Sequence, residues 1–226
     1  MKVTYYGHAC FSVEIAGKTI LFDPFISPNP LAGSIDIGKL RADYILLSHG
    51  HEDHVADTEA IARRTGATIV GNFEVVSWFG RKGLGKIHPM NHGGARQFDF
   101  GRVKYVNAIH SSSLPDGSYG GNPGGFVVET PAGNFYYSGD TALTQDMKLI
   151  GESTRLNFAV LCIGDNFTMG ADDAIKAADF IGCNQIMGVH YDTFPPIVID
   201  HAAAMKKFSA AGKKLHLLKI GVSEEL

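Results

Sequence analysis

The segment His49-Gly50-His51-Glu52-Asp53-His54 follows directly on the apolar run Tyr44-Ile45-Leu46-Leu47, and this junction restricts the fold more than any other stretch of the chain. A strand that ends in three imidazoles and a carboxylate has to open onto a place where those groups converge. Packing does not account for them, because histidine contributes only ten of 226 residues. Neutral imidazole is the commonest metal ligand among side chains. Extended backbone through His49 and His51 directs residues i and i+2 to one side. Asp53 and His54 then fall at the turn into a helix predicted over residues 55–64, from which they can face back toward the same point. Four donors divided between a strand end and a helix start suit two neighbouring ions better than one. A helix cap would explain Asp53 alone and leave the histidines without a role.

The same arrangement recurs along the chain. Apolar patterning predicts strands at residues 3–6, 10–15, 19–22, 44–47, 68–70, 86–88, 97–100, 103–108, 125–129, 134–137, 158–162, 186–189 and 215–219. Helices are predicted at 55–64, 74–80, 144–150, 171–181 and 200–211. Turn signals at Ala16-Gly17-Lys18, Phe100-Gly101-Arg102 and Ala132-Gly133-Asn134 join strands as hairpins. Hairpins followed by strand–helix alternation imply an α/β chain of mixed sheets with helices packed outside. Five strands run into an aspartate or histidine: 19–22 into Asp23, 44–47 into His49, 103–108 into His110, 134–137 into Asp140 and 186–189 into His190. Ligands of open α/β sheets bind beyond the carboxyl ends of strands, so these five groups are expected on one face.

Composition limits the alternatives. A hydrophobic share of 45% with 19% charged residues suits a globular core, and 226 residues are expected to form one domain over 1–226. No apolar run approaches the ~20 residues that cross a bilayer, and the first residues read as a strand with no signal-peptide core. A net charge of −3 without a basic block argues against nucleic acid as a partner. Cys10, Cys162 and Cys183 are odd in number and far apart, so buried free thiols are expected, and with them a reducing, cytoplasmic setting. A homo-oligomer stays open.

Taken in order, Leu21-Phe22-Asp23-Pro24, the H-x-H-x-D-H cluster, isolated His110, Ser138-Gly139-Asp140-Thr141 and late His190 resemble the metallo-β-lactamase superfamily over nearly the whole chain. Gly7-His8-Ala9 and Phe167-Thr168-Met169-Gly170 are similar, more narrowly, to the branch holding ascorbate-6-phosphate lactonase and many metal-dependent hydrolases. The resemblance implies a four-layer αββα sandwich with the site along one edge of two facing sheets. It implies His49, His51 and His110 on one ion, Asp53, His54 and His190 on a second, and Asp140 bridging both. Imidazole and carboxylate without thiolate suit Zn²⁺ or Mn²⁺, and Fe²⁺ is also compatible.

Two such ions can share a water, lower its pKa and clamp an oxyanion. The expected function is therefore a metal-dependent hydrolase that directs a bridging hydroxide at an ester, lactone or related bond in a small substrate, with Asp53 as the catalytic carboxylate. A phosphodiesterase or phospholipase-type hydrolase, and a non-catalytic metal-binding ligand sensor, are the alternatives. His8 is expected to line the site and touch substrate, or else to take a core or hairpin role, and Asp23 to orient a ligand histidine from behind. Asp165 could join the site but has no place in the family pattern. The glycine-rich residues 116–125 read as a flexible rim. His88 and His92 read as loop residues, His201 and His216 as structural, and Trp78 and Phe79 as core.

Overall fold

The chain opens as an antiparallel meander because its first turns are too short for a crossover. In the computed structural model, which describes residues 1–226, β1 (Lys2–Gly7), β2 (Cys10–Ile15) and β3 (Lys18–Phe22) pair in sequence order. Ala16 and Gly17 turn the second hairpin at φ of 50° and 77°, the pair of left-handed residues that a two-residue loop requires. After β3 the connections lengthen and carry helices, so β4 (Tyr44–Leu47), β5 (Thr68–Asn72) and β6 (Ile87–Met90) add in parallel.

The second sheet repeats this plan. β7 (Ala95–Phe98), β8 (Gly101–Asn107), β9 (Gly124–Thr130) and β10 (Gly133–Tyr137) are antiparallel neighbours. β11 (Phe158–Cys162), β12 (Gln185–Val189) and β13 (Lys214–His216) extend them in parallel. The last strand, β14 (Ser223–Glu225), returns to β1, giving two seven-stranded sheets ordered β14-β1-β2-β3-β4-β5-β6 and β13-β12-β11-β10-β9-β8-β7.

Strand alternation sorts the apolar residues into three cores. Ile20, Phe22, Leu46 and Val70 face the other sheet and meet Phe126, Phe135, Phe158 and Val160. Their neighbours Leu21, Ile45, Leu47 and Ile69 turn outward onto Ile61 of α2 (Thr58–Thr65), which follows the short α1 (Glu52–Val55), and onto Val75, Val76 and Phe79 of α3 (Phe73–Arg81). On the second sheet Tyr136, Ala159, Leu161 and Ile186 turn outward onto α4 (Met147–Ser153), α5 (Ala171–Phe180) and α6 (His201–Ala210). Helix, sheet, sheet and helix are thus the four layers expected of the αββα sandwich. Strands buried on both faces explain why their sequences read as unbroken apolar runs.

Several predicted bounds move for visible reasons. The helix predicted over 55–64 is two pieces, Glu52–Val55 and Thr58–Thr65. Between them the Asp57 carboxylate accepts from the backbone N–H groups of Ile26 and Ser27 (2.6 and 2.8 Å), and the Asp57 N–H donates to Pro24 O. The break straps the segment after β3 to the helix layer. The strand predicted at 215–219 ends at His216 because the chain turns, with Val222 N donating to Lys219 O, to lay β14 beside β1. Pro89 lies inside β6, which tolerates it as an edge strand. All three cysteines are free and buried, and no helix is long and apolar enough to cross a membrane.

Candidate metal centre

The polar residues at the strand ends converge as their spacing predicts. β3 leads to Asp23, β4 to His49, β8 to His110, β10 to Asp140 and β12 to His190, so both sheets supply the site from one edge. The donor atoms of His49, His51 and His110 all lie within 4.8 Å of one another, and so do those of His8, Asp53, His54 and His190. Asp140 stands between the groups: its Oδ2 is 2.9 Å from His190 Nε2, 3.2 Å from His54 Nε2 and 3.7 Å from His110 Nε2.

The local backbone is bent to achieve this. His8, Asp23 and His190 have φ of 55°, 41° and 59°, a left-handed region that costs a non-glycine residue about 1–3 kcal/mol and clusters at functional sites. Gly164 lets the chain after β11 pass close by, since a Cβ there would lie 2.0 Å from His190 O. Asp53 is the second residue of α1, whose N-cap is His51, so its side chain is free of any capping duty.

Asp23, wholly buried, organises the floor. It accepts hydrogen bonds from Ser48 N (2.8 Å), Ser48 Oγ (2.5 Å), Tyr137 OH (2.6 Å) and His54 Nδ1 (2.8 Å). With its Nδ1 proton held by Asp23, His54 turns Nε2 toward Asp140 and the centre, the arrangement by which a carboxylate fixes the tautomer of a metal-ligating histidine. Burial pulls the imidazole of His54 down, but Asp140, Asp53 and Asp23 together reverse this and hold it well above its ordinary value. Burial also raises the carboxyls of Asp53 and Asp140; the histidines beside them, His54 and His8 for one and His190 and His54 for the other, bring both below the usual range. His49, His51 and His110 are lowered, chiefly by burial. Burial also takes His8 down to about 4.

The donors fit a divalent cation on their own geometry. His54 Nε2 and Asp140 Oδ1 are buried without a hydrogen-bond partner, although His54 Nε2 lies near Asp140 in an orientation that makes no hydrogen bond. Buried polar atoms are seldom left so. His49 Nε2 and His51 Nδ1 also face each other at 2.9 Å, where two lone pairs would repel without a proton or a cation. Nitrogen and oxygen donors in this mixture suit Zn²⁺, Mn²⁺ or Fe²⁺.

Solvent reaches the centre through Asp53 and His110, whose side chains are 27% and 15% exposed, and through half-buried His51. A surface hollow of about 660 Å³ between α5 and α6 shares none of these residues. Asp165, considered for the site, lines that hollow instead. It accepts from Asn166 N at 2.8 Å.

Ser111 and Ser112 join the first trio to the glycine-rich rim, where Ser112 Oγ donates to Gly120 O (2.9 Å). Gly50 N donates to Ser112 Oγ (3.0 Å), Ser111 Oγ lies 3.3 Å from His51 Nε2, and Trp78 Nε1 donates to Asp116 Oδ2 (2.7 Å). Phe79 is core as expected, whereas Trp78 is only partly buried, with Lys82 Nζ 3.5 Å over its ring. His8, expected to line the site or to take a core or hairpin role, lies buried beneath Asp53 with both ring nitrogens occupied, by Asp53 Oδ2 and Thr193 Oγ1. Ser48, Tyr137 and Thr193 escaped the sequence reading. Each adjoins a candidate ligand or its motif, but a lone hydroxyl at a strand end carries no distinguishing pattern.

The model of the Beta-lactamase superfamily domain matches residues 2–190. The chain is 59% identical over 226 residues to a metal-dependent hydrolase of Flavobacterium johnsoniae, with both sequences covered completely. It is 56% identical over 220 residues to a metal-dependent hydrolase of Methylacidiphilum infernorum, with 97% of each covered. Among solved structures, a metallo hydrolase of the archaeon Ignicoccus hospitalis superposes with a TM-score of 0.89 at 33% identity, over 100% of this chain and 98% of that one.

Proposed function

We propose, for a chain that belongs to the metallo-β-lactamase superfamily and is a metal-dependent hydrolase, a two-ion centre that cleaves an ester, lactone or related bond in a small substrate. His49, His51 and His110 would hold one ion, Asp53, His54 and His190 the other, and Asp140 would contact both. When bound, such a pair supplies a water acidic enough to attack at neutral pH and positive charge for a developing oxyanion. The observation that carries the reading is the position of Asp140 Oδ2, within 3.7 Å of histidine nitrogens from both groups.

The chain's own residues divide the remaining work. Asp23 and Ser48 orient His54 and His49 from behind. Asp53, the most exposed carboxylate of the centre, is placed to take or give a proton at its free oxygen. Ile109, half exposed beside His110, offers an apolar contact to a substrate entering there. The near-complete burial of His49, His54, Asp140 and His190 favours a small substrate over a polymer.

The test is metal content and turnover measured on one preparation. Reconstitution with Zn²⁺ or Mn²⁺ should reach two equivalents and hydrolyse members of an ester and lactone panel. Saturation at one equivalent overturns the two-ion centre. Two equivalents with turnover confined to phosphodiesters would reassign the substrate class, and two with no turnover on any panel would favour a ligand sensor.

A further inference from the structure

His8 reaches the centre from outside the five strand ends. It stands at the turn between β1 and β2, held in a left-handed conformation that L-residues seldom adopt, and its side chain is 0% exposed. Nε2 is 3.0 Å from Asp53 Oδ2 and Nδ1 is 3.0 Å from Thr193 Oγ1. The ring lies 4.2 Å from that of His190, centroid to centroid, and is flanked edgewise by Phe25 and Phe194 at 5.5 and 5.4 Å. Its backbone carbonyl accepts from His190 N at 2.8 Å. One residue thus grips two candidate ligands of the same ion, Asp53 by its ring and His190 by its main chain.

The partners decide where the ring hydrogen sits. An ionised carboxylate only accepts, so Nε2 must carry a hydrogen to face Asp53 at this distance. In the neutral ring Nδ1 is then a lone pair, and the Thr193 hydroxyl is the donor that satisfies it. The competing acceptor for that hydroxyl, Tyr191 O, is farther away at 3.3 Å. An Nε2 that bears a hydrogen is not a metal ligand, although its distances alone would admit it to the second group. The bond from His8 is also the one hydrogen bond that the Asp53 carboxylate accepts.

We propose that His8 is a positioning residue, not a ligand: Thr193 donates to its Nδ1, its Nε2–H donates to Asp53 Oδ2, and the chain fixes the Asp53 rotamer with Oδ2 toward His54 Nε2 and His190 Nε2 of the second group. The metal part of this proposal rests on the two-ion reading; the hydrogen-bond chain does not.

Long-range nitrogen–proton NMR of histidine-labelled protein, metal-free and Zn²⁺-loaded, reads the tautomer directly, with His8→Gln assigning the ring. The expected result is a protonated Nε2 and a bare Nδ1 in both states. A hydrogen on Nδ1 alone, or loss of the Nε2 hydrogen on loading, overturns the proposal; the latter would make His8 a ligand. Zn²⁺ titration adds a functional readout. Loss of a partner that orients a metal ligand typically costs ~10–100-fold in affinity, so His8→Phe should weaken the second equivalent by about that factor and spare the first. His8→Gln, whose amide can still donate to Asp53, should recover most of it. An unchanged second equivalent in His8→Phe also overturns the proposal. A wild-type protein that binds one equivalent removes the two-ion reading, while the tautomer still decides the role of His8.

Discussion

Asp53 is the residue on which chemistry and assembly can be separated. Its Oδ2 lies 3.0 Å from His8 Nε2, 3.8 Å from His54 Nε2 and 3.9 Å from His190 Nε2, and no backbone N–H of α1 claims it. Asn keeps the shape and one acceptor oxygen but removes the charge and the capacity to take a proton. General acid–base contributions are typically ~10²–10⁴-fold, so Asp53→Asn should cut turnover of an ester or lactone by about that factor, with some loss of metal. Full turnover at full metal loading would remove Asp53 from the chemistry. The seven candidate ligands were legible because each stands in a motif or directly past an apolar run. Asp23 was legible for the same reason. Thr193 was not, since its role depends on a contact with His8 across 185 residues of chain.

Among the elements, the loop between β11 and α5 makes a closer approach to the centre than any spacing rule could reveal. Gly164 pairs with Gly170 across this loop and lies against the His190 carbonyl. An added methyl would meet backbone, which cannot rotate away, so His190 or the loop must shift. Overpacking typically costs ~1–3 kcal/mol; Gly164→Ala should therefore lower stability by at least ~1 kcal/mol in urea unfolding and weaken metal binding at the ion that His190 serves. Wild-type metal affinity at reduced stability would mean that the loop yields and His190 does not depend on it. Strand positions were readable because burial on both faces leaves a continuous apolar signature, as in Phe158–Cys162. The three-residue β14 was missed because Ser223, Glu224 and Glu225 carry no such signature, and its pairing with β1 is made by tertiary context alone. The break in the helix after His54 was equally silent, because the Asp57 carboxylate that causes it looks like an ordinary polar residue on a helix.

At the scale of the whole molecule, the centre joins two sheets whose strand ends carry buried carboxylates and imidazoles, so metal and pH should govern stability together. In the metal-free protein His88 and, at the centre, four histidines, His8, His49, His51 and His110, have pKa values lowered mainly by burial, and His54 of the centre is raised. A lowered histidine stays neutral in the fold while the unfolded chain takes up a proton near pH ~6.5. Stability therefore falls as pH drops below that value, because the unfolded state binds more protons. His54 acts in the opposite sense, contributing below pH ~6.5 and losing that contribution as pH rises through its own higher pKa. Asp53 and Asp140, both lowered, contribute above ~3.8 and do not alter the trend between pH 7.5 and 5.5. With the lowered histidines outnumbering the one raised, the Tm of metal-free protein should be lower at pH 5.5 than at pH 7.5. Metal that binds only the folded state at ~100 times its Kd adds about 2.7 kcal/mol per site, roughly 5–11 °C in Tm for a chain of this size. Protons compete for the same imidazoles, so the gain on loading should shrink between pH 7.5 and 5.5. Differential scanning calorimetry of metal-free and loaded protein at both pH values checks each part. A metal-free Tm that rises on acidification would mean that His54 outweighs the others, and a metal-induced gain independent of pH would place the ions away from the histidines of the centre.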